Sequence, residues 1–173
     1  MANSREAILT LDSSRVSGGP HDLVCAIGRG DLPDEMFDPV GVNRGFGPDA
    51  RFYDQNGQEL ARDFITGSFL LDKSSGAGDG YAEYWVRLPQ LSSAVQNFTI
   101  TVQYGDPELQ DHPAGSAFGR YAAWNDAEFA IVGSTNIDRT GTRSGGVVGF
   151  PAVGRGGPFG SFRSFESNDR DLS

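Results

Sequence analysis

Asn97-Phe98-Thr99-Ile100-Thr101-Val102-Gln103-Tyr104 alternates without a break. Phe98, Ile100, Val102 and Tyr104 fall on one side of an extended chain; Asn97, Thr99, Thr101 and Gln103 fall on the other. Successive strand residues point to opposite faces, so this octet reads as a strand with one face in a core and the other in water. The sequon Asn97-Phe98-Thr99 belongs to that strand rather than to a glycosylated loop.

Working outward, Ala82 to Leu88 shows the same period. Tyr84, Val86 and Leu88 lie on one face, and Glu83, Trp85 and Arg87 on the other. The first three are expected to share an interior with Phe98, Ile100, Val102 and Tyr104. Pro89 is expected to end this strand, because it has no N–H for the ladder. Ala7-Ile8-Leu9-Thr10-Leu11 reads as a short apolar strand. Leu23-Val24-Cys25-Ala26-Ile27 is a continuous apolar run, as in a strand buried on both faces. Ala50-Arg51-Phe52-Tyr53 runs into Asp54-Gln55-Asn56-Gly57, and Asn-Gly is the strongest short hairpin signal. Phe64 to Leu71 predicts a strand broken at Gly67, and Glu128-Phe129-Ala130-Ile131-Val132 another. Asp106-Pro107-Glu108 has the cap, first-turn proline and acidic first turn of a helix. Pro113, Gly115 and Gly119 keep it short, and Ser116 to Trp124 offers a second short turn. The fold expected is all-β: an antiparallel, jelly-roll-like β-sandwich with at most one or two short helices.

Charge and glycine divide the 173 residues unevenly. Residues 1–138 carry 9 basic and 20 acidic side chains, whereas 139–173 carry 5 basic and 3 acidic. Eight of the twenty residues from Gly141 to Gly160 are glycine. The expected organisation is a sandwich body over 1–134 and a Gly-rich extended arm, or added strands, over 135–173. A net charge of −9 argues against nucleic acid as a partner, since that binding rests on neutralising phosphates. The single cysteine, Cys25, cannot form an internal disulfide and reads as a small buried hydrophobe. No stretch approaches the ~18 apolar residues of a membrane span. The opening Met1-Ala2-Asn3-Ser4-Arg5-Glu6 lacks the apolar segment of a signal peptide, so synthesis in a cytoplasm is expected.

Three stretches resemble a known family. Gly47-Pro48-Asp49-Ala50-Arg51-Phe52-Tyr53-Asp54-Gln55-Asn56-Gly57-Gln58-Glu59-Leu60 is the first. Tyr84-Trp85-Val86-Arg87-Leu88-Pro89-Gln90-Leu91 and Thr99-Ile100-Thr101-Val102-Gln103-Tyr104-Gly105-Asp106-Pro107 follow in order. Together they resemble the bacterial and phage family called domain of unknown function 2341. The resemblance implies a β-rich module without assigned catalytic residues, carried in larger envelope or surface proteins and commonly followed by a lectin-like concanavalin sandwich. Ala123-Trp124-Asn125-Asp126-Ala127-Glu128-Phe129-Ala130-Ile131-Val132 and Asp138-Arg139-Thr140-Gly141 resemble the usual junction. Gly157-Pro158-Phe159-Gly160-Ser161-Phe162-Arg163-Ser164-Phe165-Glu166 resembles the first strands of such a lectin, whose carbohydrate site has no counterpart here.

Candidate chemistry is sparse. Asp106, Glu108, Asp111 and His112 form the densest set of potential metal ligands, and read more simply as a solvated first turn. Asp54-Gln55-Asn56-Gly57 starts like a calcium loop but has Ile65 where the loop needs Glu. Neither His21 nor His112 stands in a nucleophile-elbow or protease-like setting. No catalytic residue, metal or cofactor is expected. Trp85, flanked by Glu83 and Arg87, is the best binding surface, because an aromatic among charges can stack on a sugar or a partner side chain. In the arm, Phe150, Phe159, Phe162 and Phe165 stand among glycines with Arg155 and Arg163. Such anchors suit docking on a neighbour's sheet edge or groove. The expected function is therefore a non-catalytic structural protein of a phage virion: capsid decoration, head spike or tail component. Its partners would be other copies of itself or shell proteins. A glycan-binding or adhesin-like module using the Trp85 face is the alternative, with a host surface glycan as partner, and a glycoside hydrolase is the third reading.

Overall fold

The computed structural model describes residues 4–12, 19–41, 44–65, 68–74, 77–92 and 98–125, together with the backbone of 152–157 and 160–164. The chain divides into two units, Met1–Ala123 and Trp124–Ser173.

The first unit holds two antiparallel three-stranded sheets and almost no helix. Its strands are β1 (Arg5–Leu11), β2 (His21–Gly28), β3 (Arg51–Tyr53), β4 (Arg62–Phe64), β5 (Glu83–Leu91) and β6 (Phe98–Tyr104). One sheet has the order β1-β6-β3 and the other β2-β5-β4. The one α-helix among the described residues, α1 (Arg120–Ala123), packs on β4 and β5. In the second unit β7 (Ala152–Gly157) and β8 (Gly160–Ser164) pair as an antiparallel hairpin.

The period of two that opened the reading decides the core. Phe98, Ile100, Val102 and Tyr104 from β6 and Tyr84, Val86 and Leu88 from β5 are all buried in one hydrophobic cluster, which therefore draws on both sheets. Phe52 and Phe64 both pack on the fully buried Tyr84, with ring centroids 5.3 and 5.2 Å away. The Tyr84 hydroxyl donates to the Gly47 carbonyl at 2.9 Å, and burial pushes its pKa up. Gly47 has φ +92°, and a Cβ there would meet the Phe64 ring at 2.7 Å, so both backbone and packing demand glycine. The Asn56-Gly57 turn forms as expected. Asp54 Oδ1 accepts from the amides of Asn56 and Gln58 at 2.8 and 2.9 Å, and Gly57 has φ +76°.

Four local expectations need correction. β5 does not end at Pro89 but runs to Leu91. Two β5 residues, Pro89 and Gln90, stand opposite Asp22 alone, because the register slips between His21 and Leu23. The missing proline N–H thus falls in a bulge, where the ladder is already interrupted. The Leu23–Ile27 run is an edge strand rather than one buried on both faces: Leu23 to Ala26 are only half-buried. The strand expected over Phe64–Leu71 stops at Phe64, and Leu70 makes only an isolated bridge to Tyr81. Asp106-Pro107-Glu108 is a turn and not a helix, with Asp106 Oδ1 accepting from the Glu108 amide at 3.0 Å. The carboxylate that could have capped a helix closes a local turn instead. The short turn read in Ser116–Trp124 does contain α1. The strand expected over Glu128–Val132 lies outside the described residues.

A candidate binding face on β5

The outward face of β5 carries Glu83, Trp85 and Arg87, in the alternation the sequence predicts. Antiparallel pairing sets Gly28, Ala26 and Val24 of β2 opposite them in turn, and Asp63 of β4 opposite Trp85. Small residues therefore flank the indole on the β2 side.

Glu83 is not a surface charge. It is 3% exposed, and both its oxygens are engaged. Oε1 accepts the Trp85 Nε1–H at 2.8 Å, and Oε2 accepts the Tyr81 hydroxyl at 3.2 Å. Burial and the Glu83 carboxylate together push the Tyr81 hydroxyl pKa up, which keeps it a donor. The Glu83 amide donates to Ser68 Oγ at 3.1 Å, tying the 68–70 segment to the same point. Trp85 is half-buried and locked in orientation by Glu83.

At the other end of the face, Arg87 Nη2 donates to Asp22 Oδ2 at 2.9 Å. Asp22 Oδ1 accepts from the amide and the side chain of Gln90 at 3.0 and 3.1 Å. The Gln90 amide, then Arg87, hold the Asp22 carboxyl below its ordinary pKa. Gln90 itself has φ +54°, and the bulge gives it that conformation. Chemically the face is an aromatic plate hydrogen-bonded to a buried carboxylate, with an ion pair two residues further along the strand. It is suited to stacking and hydrogen bonding, and each Glu83 oxygen already accepts one bond.

The metal-ligand set read in the sequence does not converge. Asp106 turns back on its own loop, Asp111 Oδ1 accepts from Arg62 Nη1 at 2.7 Å, and His112 Nε2 lies 2.6 Å from Glu59 Oε1. Among the described residues no three His, Cys, Asp or Glu side chains are grouped to hold a metal ion. Cys25 is half-buried, and burial pushes its thiol pKa up. The side chain of His21 lies outside the described residues, as do Phe150, Phe159 and Phe165. Arg155 belongs to β7, and Phe162 and Arg163 to β8, where only the backbone is described.

Sequence reasoning missed a buried polar network beside the Asn56-Gly57 turn. Arg51 Nη1 and Arg62 Nη2 both donate to the Pro48 carbonyl at 2.8 Å. Arg51 also reaches the Gln110 carbonyl at 2.6 Å, and its Nε lies 3.5 Å from Glu59. Burial, then the like charge of Arg62, pull the Arg51 pKa down, while Glu59 opposes them. These bonds strap residues 110–112 to the body. A signal was present: arginines placed before and after a tight turn are brought side by side by the hairpin it makes.

No helix among the described residues is long and apolar enough to cross a membrane. Comparison with protein-family models, curated proteins and solved structures finds no match to this chain.

Proposed function

We propose that this chain is a non-catalytic structural and interaction protein, a β-sandwich module that serves as a capsid decoration, head spike or tail component of a phage particle. The observation that carries the non-catalytic part is how the interior uses its carboxylates. Buried Asp49, Asp54, Asp72 and Glu83 each accept from backbone amides or neighbouring side chains. Asp49, for example, accepts from the amides of Phe46 and Gly105 at 2.7 and 2.6 Å, joining two loops. Such groups are structural ties; a catalytic acid or base needs a free site within reach of substrate. The one hydrophobic cluster fed by both sheets supports the sandwich. The setting in a particle is drawn from the resemblance to domain of unknown function 2341, and the acidic chain suits a subunit that must stay soluble before it docks. The test is to pellet particles from a lysate of the native host and identify their proteins by mass spectrometry. Recovery of this chain in fixed ratio to the shell proteins is expected. Recovery only in the supernatant overturns the reading.

A second reading has its own observation, the indole of Trp85 fixed by Glu83. A plate held in place before binding loses little entropy on stacking against a sugar ring. Glycan binding that disappears in Trp85→Ala, with the fold retained, would favour a glycan-binding module instead.

A further inference from the structure

Strand edges in the two sheets are mostly covered. The second side of β3 is taken by its own returning chain, through Tyr53 opposite Glu59 and the Leu60 amide donating to the Phe52 carbonyl at 2.8 Å. On β4 the Arg62 amide donates to the Phe118 carbonyl at 3.1 Å. The pairing of β2 is broken by the bulge at Asp22, and its residues from Leu23 onward are at least half-covered.

β1 differs from all three. It pairs with β6 in unbroken register from Arg5 to Leu11, and no other strand among the described residues pairs with it. Its outward side chains Glu6, Ile8 and Thr10 are exposed, Ile8 by 71%. Its inward Ala7, Leu9 and Leu11 pack against the core yet remain only half-buried. A regular edge strand presents a row of amides and carbonyls ready to pair with another chain, and proteins usually guard such edges with Pro, Lys or a bulge. β1 carries none of these, and its two charges, Arg5 and Glu6, sit together at one end.

We propose that β1 pairs antiparallel with β1 of a second copy of this chain, about a two-fold axis through Ile8. This deepens the interaction reading above by naming a partner, and rests on it. In this register Arg5 of one copy stands opposite Leu11 of the other, Glu6 opposite Thr10, Ala7 opposite Leu9, and Ile8 opposite Ile8. Odd-numbered residues meet odd-numbered ones, so the core faces of the two sheets join on the same side. Shifting by two in either direction keeps that parity but leaves two residues of each strand unpaired. The chosen register uses all seven and sets no like charges opposite each other. It also covers the two exposed Ile8 side chains with one another and completes the cover of Leu9 and Leu11. A two-fold contact is self-complementary, and so closes as a dimer. Each copy carries a net charge of −9, so the copies repel at long range and added salt strengthens their association.

The experiment is sedimentation velocity on the full chain over a range of concentrations, at low and raised salt. A species of twice the 18.5 kDa chain mass, growing with both, is expected. Ile8→Lys places two ammonium groups face to face and should abolish that species. At a dilution and low salt where the original is monomeric, the thermal melts of the two should match, because position 8 is exposed. Ile8→Cys should give a two-chain band on a non-reducing gel after mild oxidation, well above the level that Cys25 alone produces in the unaltered chain. A chain that stays monomeric at every concentration and salt overturns the proposal. So does a dimer that survives Ile8→Lys at full strength, or an Ile8→Cys chain that links no more than the original. A monomer that still pellets with particles sinks β1 pairing alone; a β1 dimer that never pellets with them sinks the particle setting alone.

Discussion

The indole N–H of Trp85 donates to Oε1 of Glu83 at 2.8 Å, between two residues that share one face of β5. Alternation placed both on the outward face. It could not show that the carboxylate would be buried and the aromatic ring fixed by it. That bond turns a charged surface residue into the support of the candidate binding plate.

Glu83→Gln tests that support. Both carboxylate oxygens accept, from Trp85 and from the Tyr81 hydroxyl, whereas an amide offers one accepting oxygen. One of the two part-buried donors then faces an N–H2 group, and losing a hydrogen bond to a charged acceptor costs about 1–3 kcal/mol. Urea unfolding should show the midpoint fall by that equivalent. In a Trp124→Phe background the tryptophan emission should also move, reporting a freed Trp85. An unaltered midpoint and spectrum would mean that Glu83 does not hold the ring.

The register of β6 predicts an asymmetry between neighbours. Ile100 is buried in the cluster, whereas Thr101 faces outward and is half-covered. Ile100→Ala should cost about 2–5 kcal/mol, since it leaves a cavity in a core shared by both sheets. Thr101→Ala should stay near the small changes of ordinary surface substitutions, within about 0.5 kcal/mol. Equal losses from the two, measured by denaturant titration, would contradict the register.

How much could be read from residues alone follows the same physics. Strict alternation over 84–88 and 98–104 fixes which side chains are buried, because a slip of one residue would turn every apolar group into water. Asn56-Gly57 fixes a turn because few other pairs tolerate its backbone. Pro89 misled because one proline within a bulge and one at a strand end look identical in sequence. The Leu23–Ile27 run misled because apolar composition does not tell a central strand from an edge strand. The Arg51–Arg62 network was legible only in that two arginines flank the Asn56-Gly57 turn. Beside Glu59 and Asp111 its acceptors include the Pro48 and Gln110 carbonyls, and backbone groups leave no mark on composition.

Asp22 gives a pH dependence with a definite sign. Its folded-state pKa lies below the ordinary 3.8, held down by the Gln90 amide and then by Arg87. The resulting stability is fully present above 3.8 and is lost as pH falls through the lower folded-state value. Asp22→Asn should therefore unfold at lower urea than the original at pH 7. The gap should close in strong acid, where the unaltered carboxyl is protonated as well. A gap that persists unchanged into acid would place the effect outside the ionised carboxylate. The side chain is partly exposed, so the difference should be modest and should shrink with salt.

Arg62 and Asp111 are bonded at 2.7 Å, but their side chains are 1% and 41% exposed. Removing one is therefore not equivalent to removing the other. Asp111→Ala takes the counter-charge from a guanidinium sealed in the interior, whose Nε has no partner among the described residues and whose Nη2 is left with the Pro48 carbonyl. Arg62→Met instead removes the buried charge, fills much of its volume with an apolar chain, and leaves Asp111 free to hydrate. The Pro48 carbonyl keeps Arg51 as a donor in that variant. Replacing a buried ion by a well-packed hydrophobe is often close to neutral, whereas orphaning one costs about 3–5 kcal/mol when the pair is fully enclosed. Water can reach the half-exposed side of this pair, so the Asp111→Ala loss should fall below that range, at about 1–3 kcal/mol. It should nonetheless exceed the loss in Arg62→Met, and chemical denaturation of the two variants side by side reads the order directly. The reverse order would mean that Arg62 stabilises chiefly by clamping Pro48, with Asp111 as an accessory on the strap.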